Sequence, residues 1–213
     1  MPQNAGWTHG KFFNLDNFWK KYNLHYPKDL TSHEDVSLCT QIEYIRLTYG
    51  EELYQGNFPT YIWVSDPNSL SNRKYVAEQK ERIFLDVFYM DYADATAGIS
   101  YKMYKTLDKK NPDFVRKNIR DVMMYSYFYL EYAKDVVPEY LVKNYRHVRK
   151  YLKILNDEFN CSIDDIYNYF KFENKEAYVE IFKIAFNQTG IFVYERSFHE
   201  WLKWIWEEGY EKA

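Results

Sequence analysis

Two aspartates within a run of aromatic and small residues are the side chains whose type and spacing could do chemistry. Asp91 and Asp94 stand three residues apart in the stretch VFYMDYADATAG (87–98). On a helix this spacing brings both carboxylates to neighbouring positions. Such a pair repels, which raises the pKa of at least one member, and it could bind a cation or act as an acid and a base. Asp91 and Asp94 are therefore the candidate catalytic residues.

A structural role is the alternative for the two aspartates, and the residue pattern favours it. On a helical wheel Asp91 and Asp94 point away from the charged side of their predicted helix, toward neighbouring helices. A carboxylate removed from water needs a partner, and the 23 tyrosines of the chain supply many hydroxyl donors, with Tyr125 and Tyr129 as candidates. We expect both aspartates to accept hydrogen bonds from tyrosines or basic residues of adjacent helices.

The sequence lacks the motifs that mark metal sites and common catalytic sites. It contains no Glu-x-x-His of the kind found in di-iron bundles, and no second carboxylate pair that would complete a Mg²⁺ site. A glycine-rich phosphate loop, a Gly-x-Ser-x-Gly elbow and a His-Glu-x-x-His motif are also missing. We therefore predict no metal and no cofactor, and the pattern leans away from an enzyme.

A basic face occupies the predicted helix 139–158, opposite an apolar stripe with a period of 3.6 residues. Basic side chains on one helix face could hold phosphate groups, and Tyr151 could add a stacking surface for bases. The alternative, which is usual for charge runs of this size, is a solvated face paired with the acidic stretches 156–159 and 162–165. The candidate binding residues of this face are Lys143, Arg146, His147, Arg149, Lys150 and Lys153.

Three tryptophans stand close together in the stretch SFHEWLKWIWEEGYEKA (197–213). Trp201 shares a predicted helix face with Phe198, whereas Trp204 and Trp206 point elsewhere. Tryptophan is enriched among the residues that anchor protein interfaces, so all three are candidate anchors for a partner. The alternative, weighed equally, is a helix packed into its own domain. The acidic residues of this stretch argue against binding to anionic lipid.

The composition describes an aromatic-rich globular chain of 213 residues. Apolar and charged residues are present in ordinary amounts, but 21% of the residues are aromatic, and tyrosine suits both half-buried helix seams and binding surfaces. A net charge of −3 gives no broad electrostatic footprint for nucleic acid. Cys39 and Cys161 are expected to be free thiols, with a long-range disulfide as the alternative. We see no secretory signal and no long apolar stretch, and therefore expect a cytoplasmic protein that does not enter membranes.

Helices must position these groups, because helical periods run through almost the whole sequence. We predict an all-α, single-domain bundle of about seven helices over residues 1–213, with a flexible or loosely packed N-terminus at 1–12. A long irregular connection is expected around 51–70, where TYIWV (60–64) is the one strand-like segment. The predicted helices cover 14–24, 31–50, 71–107 with a bend near Gly98, 111–136, 139–158, 162–172, 174–188 and 191–210.

Local residue signals predict where several of these helices begin and end. A Ser or Thr three residues before a Glu indicates a capping box, a glycine stops a helix, and a proline favours its first position. The predicted caps are Thr31 with Glu34, Gly50, Asn111 with Pro112, and Ser162.

These features together predict a binding protein without catalysis of its own. We expect it to act through protein–protein interaction, as a small inhibitor or immunity-type protein does, and the sequence is also compatible with a homo-oligomer. Two alternatives stay open. One is a nucleic-acid or nucleotide binder that uses the basic face 143–153, and the other is a carboxylate-dependent enzyme centred on Asp91 and Asp94.

Overall fold

Helices make up most of the chain that the computed structural model describes. The described part contains no strand, which confirms the all-α prediction. The predicted strand at 60–64, most of the predicted connection at 51–70 and the predicted helix 174–188 lie outside it. The described residues are 18–30, 33–52, 90–133, 141–173 and 195–207.

Six helices follow one another in these ranges. Two of them change from α-helical to π-helical winding along their length, which is the only irregularity within the described helices. The first three are α1 (Glu34–Tyr49), α2 (Met90–Ala93, a π-helical turn at Asp94–Gly98, then Ile99–Thr106) and α3 (Pro112–Ala133). The others are α4 (Leu141–Phe159), α5 (Ile163–Asn168, then a π-helical turn at Tyr169–Glu173) and α6 (Glu195–Glu207).

Two of the predicted helix ends are confirmed by their backbone geometry. Gly50 ends α1 in the left-handed conformation, with φ at 70°, and its N–H donates to the Arg46 carbonyl. This conformation carries no steric penalty in a glycine. The Asn111 side-chain oxygen accepts a hydrogen bond of 3.3 Å from the Phe114 N–H, and Pro112 is the first residue of α3.

The predicted capping box at the start of α1 is wrong, whereas the cap predicted at Ser162 is confirmed. Helix α1 begins at Glu34, after His33 in a left-handed conformation, so Glu34 is the first helical residue and not the third. A capping box needs the acidic residue at the third position. Ser162 and Asp165 meet that requirement, because each side chain accepts a hydrogen bond from the backbone N–H of the other.

The apolar faces of all six helices contribute to one buried core. Helix α3 lies at its centre and packs against α2, α4 and α6. On α4 the buried residues are Val148, Leu152, Leu155 and Phe159, together with Tyr151. These four confirm the apolar stripe that the 3.6-residue period predicts. Because these residues lie in the core, the opposite, basic side of α4 faces outward.

Helices α2 and α4 contact each other through long side chains and run in the same direction. Near the start of the contact Asp94 meets Tyr151, and further along Tyr101 and Lys105 both bind Glu158, with Lys105 Nζ 3.1 Å from the carboxylate. Residue numbers thus increase together along both helices. The seam between α2 and α4 therefore carries an acidic group at each end, one from each helix.

Both cysteines are buried free thiols, as the sequence predicts. Cys39 lies within α1 and Cys161 directly before α5. Burial raises the pKa of the Cys161 thiol above its ordinary value, so this thiol stays protonated at neutral pH.

Candidate binding surfaces

Asp94 lies in the seam between α2 and α4, where three α4 side chains approach it. The Tyr151 hydroxyl donates a hydrogen bond to Asp94 Oδ1. His147 Nε2 lies 3.2 Å from the same oxygen, at ion-pair distance but without the alignment of a hydrogen bond, and Lys150 Nζ lies 3.9 Å away. About a third of the Asp94 side chain stays exposed, at 37%. These contacts tether α2 to α4.

The electrostatics of Asp94 are set by its neighbours on α4. Burial raises the pKa of Asp94, but the nearby His147 imidazole, the Tyr151 hydrogen bond and the Lys150 charge together hold it below its ordinary value. Asp94 is therefore not the member of the pair whose pKa is raised. Its carboxylate is ionised at neutral pH and serves as the acceptor in a helix contact.

The surroundings of Asp91 differ from those of Asp94. Burial lowers the pKa of His33, the residue before α1, and the charges of Asp35 and Asp91 act in the opposite direction. The His33 ring also packs edge-on against Tyr92, with 5.6 Å between ring centroids. Positions three residues apart on a helix differ by about 60° around the axis. Asp91 and Asp94 therefore face two different neighbours.

The tyrosine that binds Asp94 is not one of those that the sequence suggested. The side chains of Tyr125 and Tyr129 lie outside the described part, and Tyr151 supplies the hydroxyl. Tyr151 is fully buried, so the prediction that it offers a stacking surface to nucleic-acid bases is wrong. The reason lies in its position on α4, where its ring shares the buried side with Val148 and its hydroxyl reaches the seam.

The basic face of α4 is directed outward in the described structure. Arg146, Lys150 and Lys153 are exposed, and Arg149 is partly exposed. His147 is instead mostly buried beside Asp94, and the Lys143 side chain lies outside the described residues. The structure thus separates His147, which belongs to the helix seam, from the four cations that face solvent.

Three of the acids that the sequence proposed as partners of this basic face have other partners in the described structure. Glu158 is bound by Tyr101 and Lys105 of α2. Asp165 caps its own helix, and the carboxylate of Asp164 lies 2.6 Å from His199 Nε2 on α6. The pairing of the basic face with the stretches 156–159 and 162–165 stays a prediction.

The three candidate tryptophans belong to the side of α6 that contacts the core or to its edges. Trp201 is only 6% exposed, lies parallel to the buried Phe198 ring and meets the Tyr127 ring edge-on at 5.3 Å between centroids. Trp204 and Trp206 are half-buried against the core. The alternative of a helix packed into its own domain therefore holds for Trp201, whose ring is not accessible to a partner.

Two small groups of rings that the sequence reasoning missed lie where the N-terminal segment (18–30) packs along α1. In one group the Tyr22 ring centroid lies 5.1 Å from that of Phe18 and 5.4 Å from that of Tyr49, and in the other Trp19 and Tyr26 lie 6.0 Å apart. Tyr26 is 41% exposed and Tyr49 37% exposed, whereas Phe18, Trp19 and Tyr22 are partly buried against the core. We call the two groups together the aromatic surface, and its residues are Phe18, Trp19, Tyr22, Tyr26 and Tyr49.

Two polar contacts hold the aromatic surface against α1. The buried Gln41 side chain donates to the His25 carbonyl at 2.8 Å and accepts from the His25 N–H at 3.3 Å. Glu51 accepts hydrogen bonds from the Tyr22 hydroxyl and, at 2.7 Å, from Lys21 Nζ. The segment is therefore fixed through its backbone at one point and through its side chains at another.

Sequence reasoning missed the aromatic surface because its parts are distant in the chain. The pattern of 14–24 was interpreted as one helix, whereas the described part has a helical turn at 18–21 followed by a non-helical stretch. A buried glutamine within the apolar face of α1 was the available signal, since a buried amide needs hydrogen-bond partners. Gln41 takes both partners from the backbone of His25.

The described ranges contain neither a cluster of metal-binding side chains nor a helix suited to a membrane. Among those residues, no three His, Cys, Asp or Glu side chains come together in a way that could hold a metal ion. None of the six helices is both long and apolar enough to cross a membrane. Comparisons of the chain with protein-family models, with curated proteins and with solved structures found no match.

Proposed function

We propose that this protein acts by binding another protein through the aromatic surface, without chemistry of its own, as small inhibitor or immunity-type proteins do. The observation that carries the proposal is the exposure of Tyr26 and Tyr49, each of which contacts a further ring of the N-terminal segment. Tyrosine and tryptophan are enriched where protein interfaces bury their anchors, because each ring buries a large area and keeps a polar group for a hydrogen bond.

The fixed backbone of the N-terminal segment supports this proposal. Binding through a loose segment loses free energy when that segment becomes ordered. Here Gln41 and Glu51 already hold His25 and Tyr22 in place. The rings are therefore presented in one arrangement before any partner arrives.

The contacts of Asp94 support the proposal that the protein acts without chemistry of its own. Asp94 Oδ1 faces Tyr151, His147 and Lys150, so the charge of this carboxylate contributes to the contact between α2 and α4. The arrangement favours a structural role for Asp94.

The test compares a double variant, Tyr26→Ser with Tyr49→Ser, with wild type and with Phe172→Ser. Phe172 is a matched control, because its ring is 70% exposed and lies in the π-helical turn of α5, away from the aromatic surface. A protein captured from native lysate by wild type is purified, and its affinity for all three is measured by calorimetry. We expect binding about 10- to 100-fold weaker for the double variant, which is typical of losing interface anchors.

Unfolding in urea, followed by circular dichroism, establishes that each variant is folded at the assay temperature. Equal affinity of wild type and the double variant would overturn the proposed surface. Self-association of the wild type that the two tyrosine substitutions abolish would show that the partner is a second copy, which contradicts the proposal of a different protein.

A further inference from the structure

One of the two exposed rings of the aromatic surface has a positive charge over its face. Lys110 Nζ lies 4.9 Å from the centroid of the Tyr49 ring, and Lys110 itself is exposed. In the described part of the chain, no carboxylate lies within ion-pair distance of this ammonium group. Attraction to an aromatic face leaves the formal charge of a lysine without a counter-ion. Lys110 therefore differs from a lysine whose charge is already balanced by an acid of the same chain.

Two other charged residues adjoin the neighbouring ring of Tyr22, and these neutralise each other. Lys21 Nζ lies 4.6 Å from the centroid of the Tyr22 ring, and Glu51 accepts a hydrogen bond from the Tyr22 hydroxyl. Lys21 and Glu51 form an ion pair, with 2.7 Å between Nζ and the carboxylate. The pair of rings thus adjoins a balanced ion pair at Tyr22 and, at Tyr49, a cation for which the described residues supply no counter-ion.

The backbone that carries Lys110 is held against α1. This residue lies in the connection between α2 and α3, and its carbonyl accepts a hydrogen bond from the hydroxyl of the buried Tyr44 on α1. The side chain of Asn111 donates to Thr48 Oγ1 on the same helix at 3.4 Å. The side chain of Lys110 therefore begins from a fixed point beside the end of α1.

The same connection has an unfavourable backbone conformation. Asp108, Lys109 and Asn111 are all left-handed, with φ of 54°, 55° and 54°. Asp and Asn tolerate this conformation, whereas a residue with a long side chain such as Lys rarely adopts it. Strain of this kind persists only where surrounding contacts hold the backbone, and it is common at binding sites. The conformation of 108–111 agrees with a connection that positions Lys110 for a contact.

We propose that the partner protein places an Asp or Glu carboxylate against Lys110, beside the Tyr49 ring. The inference rests on the proposed function and names the chemistry of the partner at this site. A partner that buries the Tyr49 ring also removes water from the ammonium group over that ring. An ammonium group that loses water without gaining an opposite charge weakens binding. A carboxylate restores the balance, because it accepts a charge-assisted hydrogen bond from Lys110.

A cross-linking experiment tests this contact directly. The probe is the partner protein that wild type captures from native lysate, purified and mixed again with the full chain. A carbodiimide joins an amine to a carboxylate where the two groups are in contact. We expect mass spectrometry to find Lys110 joined to an Asp or Glu of the partner. The variant Lys110→Gln should lose this product and keep any product formed by other lysines.

Binding kinetics measure how much the contact contributes. We expect Lys110→Gln to weaken binding about 10- to 100-fold, the range for loss of a hydrogen bond between charged groups. Most of this loss should be faster dissociation, because removing one member of a desolvated charge pair acts mainly on the dissociation rate. Lys110→Glu should bind more weakly still, since it sets a like charge against the carboxylate. Replacing the cross-linked acid of the partner by its amide should weaken wild type but change Lys110→Gln little further.

Lys203→Glu is the matched control for the change of charge. Lys203 is exposed on α6, which packs against α3, α4 and α5, and the substitution alters the net charge as Lys110→Glu does. We expect its affinity for the partner to stay within about twofold of wild type. Thermal unfolding shows whether each variant remains folded at the assay temperature.

Several results would overturn the inference. They are equal affinity of wild type and Lys110→Gln, equal weakening by Lys110→Glu and by Lys203→Glu, and a loss confined to the association rate, which would place Lys110 at the solvated rim. Weakening without a cross-link would exclude a carboxylate, and phosphatase treatment of the partner then shows whether a phosphate takes its place.

The tyrosine variant separates this inference from the proposed function. If Tyr26→Ser with Tyr49→Ser weakens binding and Lys110→Gln does not, the aromatic surface binds the partner and the acidic contact is wrong. If only Lys110→Gln weakens binding, the acidic contact holds and the two rings are not anchors. If wild type captures no protein at all, both proposals are overturned.

Discussion

Gly98 makes the contact between Asp94 and Tyr151 sterically possible. A Cβ atom at position 98 would lie 2.7 Å from the Tyr151 hydroxyl oxygen and 3.3 Å from Asp94 Oδ1. The backbone of Gly98 has ordinary helical angles, so the need for glycine here comes from space and not from its conformational freedom. Because Gly98 has no side chain, α2 leaves room for the hydroxyl of the buried Tyr151 ring on α4.

We predict that Gly98→Ala destabilises the protein. Within a helix this change usually stabilises by about 0.5–1 kcal/mol, but here the methyl group meets the end of a buried ring that has little room to move. Forcing extra volume into a packed interior typically lowers stability by about 1–3 kcal/mol. Urea unfolding gives the free energy. Combined with Tyr151→Phe, which removes the contacting oxygen, Gly98→Ala should have a smaller effect, and strict additivity of the two changes would contradict this account.

A second residue-scale prediction concerns the pH dependence of the Asp94 contact. The folded protein lowers the pKa of Asp94, so the stabilisation is fully present above the pKa of the unfolded chain and is lost as the pH falls through the folded-state value. Its partners on α4 are His147, Lys150 and Tyr151. We expect Asp94→Asn to lower the unfolding free energy by about 1 kcal/mol at pH 7, allowing for the partial exposure of the carboxylate.

The measurement is urea unfolding of wild type and Asp94→Asn from pH 7 down to about pH 3, which covers the range where ordinary aspartates titrate. The difference between the two proteins should shrink with acidification. Asp113→Asn is the control, since Asp113 pairs only with Arg116 on its own helix surface and should change stability little at any pH. A difference for Asp94→Asn that grows toward acid would contradict the role assigned to it.

At the scale of elements, the N-terminal segment illustrates how one buried side chain can position a stretch with little regular structure. The side-chain amide of Gln41 in α1 hydrogen-bonds to both the N–H and the carbonyl of His25. The same two bonds give the buried amide its partners. Neither partner could be buried alone without losing hydrogen bonds to water. The position of the aromatic surface relative to α1 depends on this exchange.

We predict that Gln41→Met releases the segment 18–30 from α1. The change keeps the approximate size of the side chain but leaves the His25 backbone groups without their partners, which should lower stability by about 1–3 kcal/mol. Hydrogen exchange is the direct measurement, and we expect the His25 amide to exchange about 10- to 100-fold faster. Thr40→Val serves as control, because it removes a bond only within α1, to the Val36 carbonyl. Unchanged exchange at His25 in Gln41→Met would contradict the prediction.

The elements that sequence predicted well are those specified by neighbouring residues. The apolar stripe of α4, the stop at Gly50 and the caps at Asn111 and Ser162 each depend on side chains within a few positions of one another. The π-helical turn at Asp94–Gly98 is a feature that the sequence did not predict. An extra residue in a turn is accommodated by packing against other helices, which a local pattern does not reveal.

At the scale of the whole molecule, the contacts that decide between functions join residues far apart in sequence. Asp94 meets Tyr151, and Tyr22 meets Tyr49, across separations of 57 and 27 positions. Composition indicated a surplus of tyrosine but not which rings remain exposed. The candidate anchor Trp201 is buried, whereas Tyr26 and Tyr49, which no sequence motif marked, are exposed.

The aromatic surface lies along α1, to which the N-terminal segment is attached through the hydrogen bonds of Gln41. The assignment of a single domain to residues 1–213 stays a prediction, since it also covers residues that the structure does not describe.

The π-helical winding at Asp94–Gly98 has a consequence for insertions and deletions in the gene. A π-helical turn takes up one more amino acid than an α-helical turn, while the portions of the helix before and after it keep their faces. Loss of a single codon within this turn should therefore restore even winding and leave Tyr92 beside His33. A gained codon would instead offset the two portions by about 100° and should be tolerated less.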